Sequence, residues 1–453
     1  MKKLIESIRR RAPEYGSLPF WSWNDKLNEN ELREQIRNMK SLRMNGFFMH
    51  ARGGLETEYL SDEWFDCINA CIDEAKKQGM EAWAYDENGW PSGFAGGLLL
   101  ADPANHAVLL EYEFTSAFPA SHADTVAVYT EEPDGTFSLA AEDCGAPRYL
   151  RLYKTYDASY VDTLDPRITD RFIAATHEEY KRRVAASDFG TAMPGFFTDE
   201  PQYYRWGNPF SHTLPEEFRK AYGYGIEEKL PAVFFDFEGA EKFRYDYYKL
   251  IHRLFINNWV KKVYDWCEEN GVKLTGHAIE ETSLDFQMMC CGGIMPFYEY
   301  EHIPGIDYLT RNMAEDISPK QLGSMCAQLG RKKALSEMFA CCGWDVTPTE
   351  LKRIADLQFA GGVNLMCEHL YPYSERGQRK RDYPSHYSAH NPWQSAMADF
   401  RLHTTEVPEK RPRDGVWHVG VCAVPLGTAL GREGVWIEGR ERGAGCRRRG
   451  HPG

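Results

Sequence analysis

No stretch of the 453 residues is apolar for long enough to span a bilayer, and Met1 to Arg11 is charged, without the apolar segment of a secretion signal. The chain is therefore expected to be cytoplasmic and free of membrane. A run of basic residues is also lacking before the last forty or so positions, and the net charge of -14 opposes a polyanion. Nucleic acid is not expected as a partner on that ground. No Gly-x-x-x-x-Gly-Lys motif occurs, and the glycines from Gly93 to Gly97 follow a proline turn without dinucleotide-loop spacing, so phosphate chemistry is poorly supported. Twelve cysteines are present, yet Cys290 with Cys291 and Cys341 with Cys342 are adjacent and most others fall in apolar patterns, which fits reduced, buried thiols. Cys67 and Cys71 lie one helical turn apart, but no second Cys or His pair has the spacing to complete a zinc site.

What is abundant is apolar and aromatic: 43% hydrophobic and 13% aromatic residues, enough for one large core. Aromatic and acidic residues together suit uncharged ring ligands such as sugars. Gly195 to Pro201, Gly-Phe-Phe-Thr-Asp-Glu-Pro, is an apolar run ending in two carboxylates. It reads as a buried strand carrying acids to the mouth of a fold, or as a strand followed by a helix that Asp199 or Glu200 caps.

The same rhythm recurs. Leu18 to Asn24 is followed by a helix capped by Asn28, with Glu31 at the capping-box position; Phe47 to Arg52 ends in His50, Arg52 and two glycines. A helix from Ser61 to a stop at Gly79 leads to Met80 to Tyr85, which ends in Asp86-Glu87-Asn88-Gly89-Trp90-Pro91-Ser92-Gly93. Later apolar runs are Lys273 to Ile279, Ile303 to Leu309, Ala334 to Glu337 and Val363 to Cys367, the last leading into Glu368 and His369. Counted from Phe20 there are eight strands, the number that closes a (β/α)8 TIM barrel whose active site lies at the strand C-termini. Between 102 and 165 the pattern turns to alternating runs around Pro133-Asp134-Gly135, a small antiparallel β insertion after the third strand, and a helix resumes at Pro166 and runs past Tyr180 to Val184. The expected organisation is an N-terminal extension (1–17), a barrel (18–406) containing the insertion (102–165), and an irregular, Arg- and Gly-rich tail (407–453), disordered or the end of a truncated or frame-shifted longer enzyme.

Cleaving a glycosidic bond takes one carboxylic acid to protonate the leaving oxygen and one carboxylate to activate water or attack the anomeric carbon. Glu200 after the fourth strand and Glu337 after the seventh come from different strand ends facing one mouth, a pairing that resembles the large superfamily of barrel glycosidases. His50, Arg52, Asp86, Glu87, Trp90, His277 and His369 are candidates for substrate binding. Each has a duller alternative: barrel-mouth salt bridges of His50 and Arg52 with Asp86 or Glu87, a buried Trp90 bracing its loop, a hydrogen-bonded core His277.

Several stretches together, Phe20-Trp21-Ser22-Trp23-Asn24, Gly46 to Leu55, Tyr85 to Gly93, Gly276-His277 and Ile303 to Asp307, resemble the catalytic barrel of glycoside hydrolase family 106, the α-L-rhamnosidase-like enzymes, over about Pro19 to Pro372. The resemblance implies hydrolysis of a terminal α-L-rhamnosyl or related linkage with inversion, Glu200 as general acid, Glu337 as base, and a calcium ion for which Asp199, Glu281 and Glu301 are the candidate oxygen ligands. The chain departs from the family in starting its barrel near residue 20 and in lacking accessory β-domains after it. A retaining glycosidase of the β-galactosidase type, with Glu337 as nucleophile, and a non-catalytic carbohydrate-binding barrel are the alternatives. The expected partner is an oligosaccharide or glycoside; the oligomeric state is not legible.

Overall fold

Each of the eight apolar runs is a parallel strand in the computed structural model, which describes residues 15–203, 207–313, 317–388, 391–394 and 396–401. They are β1 (Phe20–Trp23), β2 (Gly46–Ala51), β3 (Glu81–Asn88), β4 (Gly195–Asp199), β5 (Lys273–His277), β6 (Gly305–Asp307), β7 (Leu335–Met338) and β8 (Leu365–Glu368). Strands β5-β4-β3-β2-β1 form one sheet, extended beside β1 by Tyr371–Pro372, and β6-β7-β8 form another. The two meet at a parallel bridge between Thr275 and Ile303, and across the other seam Leu18 N donates to Met366 O at 2.9 Å. The strands thus follow the ring order of a (β/α)8 barrel, with continuous ladders inside each sheet and only short stretches of pairing at the seams.

The interior is layered by the two-residue period of the strands. Phe20, Phe48, Trp83, Phe197, Leu335 and Leu365 fill it with apolar side chains, Phe197 lying 4.7 Å from Phe20 and 4.8 Å from Phe48 between ring centroids. Two residues further along the same strands stand His50, Asp199 and Glu337, so an apolar floor carries a polar layer. Gly276 permits this at β5: an added Cβ would lie 2.0 Å from Thr198 O, and only glycine lets β5 approach β4 that closely.

Helix ends follow the expected signals in most places. Asn28 caps Glu29–Ser41 by accepting from Asn30 and Glu31 N–H, although the Glu31 carboxylate accepts from Tyr373 Oη (2.9 Å) rather than closing a capping box. Ser61 caps Asp62–Gln78, which Gly79 ends at φ +62°. The helix expected from Pro166 to Val184 is broken at Thr176 into Pro166–Ala175 and His177–Arg183.

The insertion is a five-stranded antiparallel sheet in the order Phe137–Leu139, Thr125–Glu131, Tyr149–Val161, His106–Thr115, Asn208–Phe210. Its last strand comes from beyond β4 and was not expected, because Asn-Pro-Phe has no alternation to mark it. Most of the expected N-terminal extension (1–17) and all of the expected tail (407–453) lie outside the described residues. Among those described, no helix is long and apolar enough to cross a membrane, and Cys67 and Cys71 are free, buried thiols with no third ligand in reach.

Candidate active site

β4 and β5 pair with His277 directly opposite Asp199, and β6 and β7 pair with Asp307 opposite Glu337. His277 is fully enclosed. Its Nε2 lies 2.6 Å from Glu337 Oε2 and 3.6 Å from Asp199 Oδ1, and its Nδ1 donates to Ala278 O at 2.9 Å. With an acceptor at each ring nitrogen the imidazole is held as imidazolium. Burial opposes that charge, but the Glu337 hydrogen bond and the charges of Asp199, Glu337 and Asp307 outweigh it and raise the pKa well above 6.5. Both ring nitrogens are engaged within the protein, so the donor role towards substrate expected for His277 is replaced by one of holding Glu337.

Glu200 follows β4 with φ +48°, a left-handed turn that lifts its side chain out of the strand pleat, and its N–H donates to His277 O at 3.1 Å. It caps no helix; the next one, Leu214–Tyr222, begins after Thr213 without a side-chain cap. Burial first, then the charges of Asp199 and Glu337, push its carboxyl up to about 8 against the opposing His277. Glu337 is buried, and its pKa is also raised, by burial, with His277 and Arg52 pulling the other way. Asp307 is a further carboxyl of this cluster, with no role expected from the sequence. Its Oδ1 has no protein partner, and burial and Glu337 raise it well above 3.8.

Arg52, the anchor of the opposite wall, does not pair with Asp86 or Glu87. Its Nε and Nη2 donate to Asp382 at 2.8 and 2.9 Å, Nη1 lies 2.8 Å from His50 Nε2, and Nη2 lies 3.1 Å from His369 Nε2. A guanidinium only donates, so both histidines accept through Nε2 and are neutral Nδ1–H tautomers. Burial and the Arg52 charge accordingly hold both well below 6.5. Neither Nδ1 has a protein partner, which leaves two buried N–H donors; His369 Nε2 is also 3.9 Å from Glu337 Oε1.

Two expectations are corrected here. The Glu87 carboxylate accepts from the backbone N–H of Asn88 (2.8 Å), Gly93 (3.0 Å), Phe94 (2.9 Å), Ala95 (2.8 Å) and Gly96, so it is the pivot of its own glycine-rich loop and not a sugar ligand. Asp86 is equally enclosed and accepts from Ser92 Oγ at 2.5 Å. Ser92 Oγ in turn accepts from Asp199 N–H at 2.8 Å, which ties the Trp-Pro-Ser-Gly loop to β4. Trp90 is 40% exposed rather than buried. Glu368 faces away from the site and is paired with buried Arg401, Nε donating at 2.7 Å.

The expected calcium ligands do not converge. Among the described residues the one acidic or imidazole group close enough to share an ion is Asp199, His277 and Glu337, with ligand atoms within 4.8 Å of one another. Glu281 and Glu301 stand outside it; Glu281 Oε2 accepts from Asp307 N–H at 3.1 Å and Glu301 Oε2 from Gly305 N–H at 3.4 Å. Calcium takes six to eight oxygens, whereas this group offers an imidazole whose nitrogens are both hydrogen-bonded. The donors do not fit calcium.

No curated protein matches the chain. Among solved structures it is similar to the rhamnosidase from Novosphingobium sp. PP1Y, at 14% identity and a TM-score of 0.64, over 89% of this chain and 60% of that one. It is also similar to Gan42B, a GH42 β-galactosidase from G. stearothermophilus, at 12% identity and a TM-score of 0.51, over 87% of this chain and 58% of that one. At such identities the likeness concerns the fold, and the chain spans about three-fifths of the length of either. The model of glycoside hydrolase family 106, described as α-L-rhamnosidase, matches residues 157–400, a segment that carries Glu200, His277 and Glu337. Because that match takes in more than half of the 453 residues, the chain belongs to the α-L-rhamnosidase family, glycoside hydrolase family 106.

Proposed function

We propose that this chain hydrolyses a terminal α-L-rhamnosyl-type linkage with inversion of configuration, Glu200 acting as general acid and Glu337 as general base. The observation that carries the proposal is that one residue joins the two glutamates: His277 accepts the Glu200 N–H through its carbonyl and holds Glu337 through its ring. A carboxyl at about 8 is protonated at neutral pH and suits the acid role. As the anomeric C–O bond breaks, its electron pair goes to the leaving oxygen, which takes the Glu200 proton. Water attacks from the opposite face and gives its proton to Glu337, whose carboxylate form the His277 imidazolium favours. The Nδ1–H groups of His50 and His369, set by Arg52, would donate to sugar hydroxyls.

The test is the first-formed anomer from an aryl α-L-rhamnoside, followed by proton NMR. β-L-Rhamnose is expected, and initial α-L-rhamnose would replace inversion with retention. Full turnover by Glu337→Gln would remove Glu337 from the base role, and no turnover of any aryl glycoside by the wild-type chain would remove the hydrolytic reading.

A further inference from the structure

Above Arg52 stand two large rings that the acid–base chemistry does not use. Trp90 comes from the loop after β3 and Tyr383 from the segment after β8, and they are 40% and 44% exposed. Their centroids are 6.0 Å apart at 71°, and the Arg52 guanidinium carbon lies 4.3 Å from the Trp90 centroid and 5.8 Å from that of Tyr383. Tyr383 also meets His369 edge-on at 6.0 Å, and His369 is the histidine beside Glu337. The rings therefore border the reacting centre.

Their placement is built rather than incidental. Tyr383 has φ +46°, uncommon for a non-glycine residue. Its neighbours are pinned on both sides: Asp382 takes two Arg52 donors, Gly343 N–H donates to Pro384 O at 2.9 Å, and Tyr387 N–H donates to Leu370 O at 3.1 Å. Arg52 spends its Nε and both terminal nitrogens on Asp382, His50 and His369. Each of its nitrogens is thus engaged within the protein, and what stands over the guanidinium is the two aromatic rings. This side of the site thus sets two ring faces beside the Nδ1–H groups of His50 and His369, while the opposite side presents the carboxyls of Glu200, Asp307 and Glu337.

We propose that Trp90 and Tyr383 form an apolar wall that receives the C6 methyl edge of a 6-deoxyhexose, and that Asp382, acting through Arg52, is the residue that positions this wall. The proposal rests on the rhamnosyl-type reading and adds the side chains that would separate L-rhamnose from L-mannose, its 6-hydroxy counterpart.

The test is equilibrium binding of free L-rhamnose and L-mannose by calorimetry on the full chain, alongside turnover of the matching aryl α-L-glycosides. The wild-type protein should favour L-rhamnose by about 10- to 100-fold, the range an apolar pocket achieves against one added hydroxyl. Tyr383→Ala and Trp90→Ala should each bring that ratio towards one, Tyr383→Phe should keep it, and Asp382→Asn should lower it although both rings remain. A wild-type ratio near one overturns the proposal, as does equal weakening of both sugars in the alanine variants, which is what a merely structural role produces. Selective binding without turnover would leave the wall standing and remove the hydrolytic reading; turnover without selectivity would do the reverse.

Discussion

Replacing Glu200 by glutamine should abolish acid catalysis and at the same time stabilise the protein, more so as the pH rises. In the folded chain the Glu200 carboxyl is held at about 8 because burial, Asp199 and Glu337 all disfavour its charge. In the unfolded chain it titrates near the ordinary value of 4.5. Between those values the folded state keeps a proton that the unfolded state has released, so stability falls as pH rises through the window and levels off above about 8. Below the unfolded value both states are protonated and nothing is lost. Each pKa unit corresponds to about 1.4 kcal/mol, so the full shift has an upper bound of about 5 kcal/mol. Because Glu337 and Asp307 share the same field and reapportion charge when Glu200 ionises, the expected gain is about 1–3 kcal/mol. For a chain of this length that is about 1–4 °C in Tm. The assay is thermal unfolding of wild type and Glu200→Gln from pH 5 to pH 9. The two should coincide near pH 5 and diverge towards pH 9, with the variant higher. A constant offset across that range, or a variant less stable at pH 9, would falsify the assignment of Glu200 as a buried, proton-holding acid.

The pH dependence of kcat/KM on an aryl α-L-rhamnoside should be bell-shaped. Its alkaline limb should fall near pH 8, where Glu200 loses its proton, and its acid limb above pH 4.5, because Glu337 must be ionised and its pKa is raised; a flat alkaline side would remove Glu200 from the acid role. Away from the site, Arg401→Met should destabilise the fold by about 3–5 kcal/mol in denaturant titrations, because it strands the buried Glu368 carboxylate, with KM unchanged. A rise in KM without loss of stability would instead place Glu368 among the substrate-binding residues.

Much of the framework was legible because it depends on short-range patterns. The strands alternate or run apolar, and Asn28, Ser61, Gly79 and Pro166 are local punctuation whose effect does not need the rest of the chain. The partners of Arg52 were not. Asp382 lies 330 positions away, in a segment with no strand or helix periodicity, and no spacing rule connects the two. Asp307 was placed on its strand, but only the pairing of β6 with β7 turns it into a neighbour of Glu337. The break at Thr176 has no glycine or proline to announce it, and Thr176 Oγ1 instead turns back to Phe172 O at 2.8 Å and to His177 Nδ1 at 2.8 Å.

The misassigned acids of β3 follow from a register change that no sequence pattern displays. Met49 faces Ala84, whereas Ala51 faces Asn88, so two steps along β2 oppose four along β3 and the residues from Tyr85 to Glu87 leave the regular pleat. Tyr85 still points inwards and its Oη donates to Asp199 Oδ2, while the acids after it are drawn into the loop. Glu87 then meets the successive N–H groups of Gly93 to Gly96, which form a closed anion cradle. Glu200 undergoes the opposite change. The strict pleat of β4 sends Asp199 inwards, and the left-handed turn after it swings Glu200 to the same side instead of the opposite one. Two consecutive acids at a strand end therefore take opposite directions: in β3 the shifted register turns both into their own loop, whereas in β4 the left-handed turn at Glu200 keeps both beside His277.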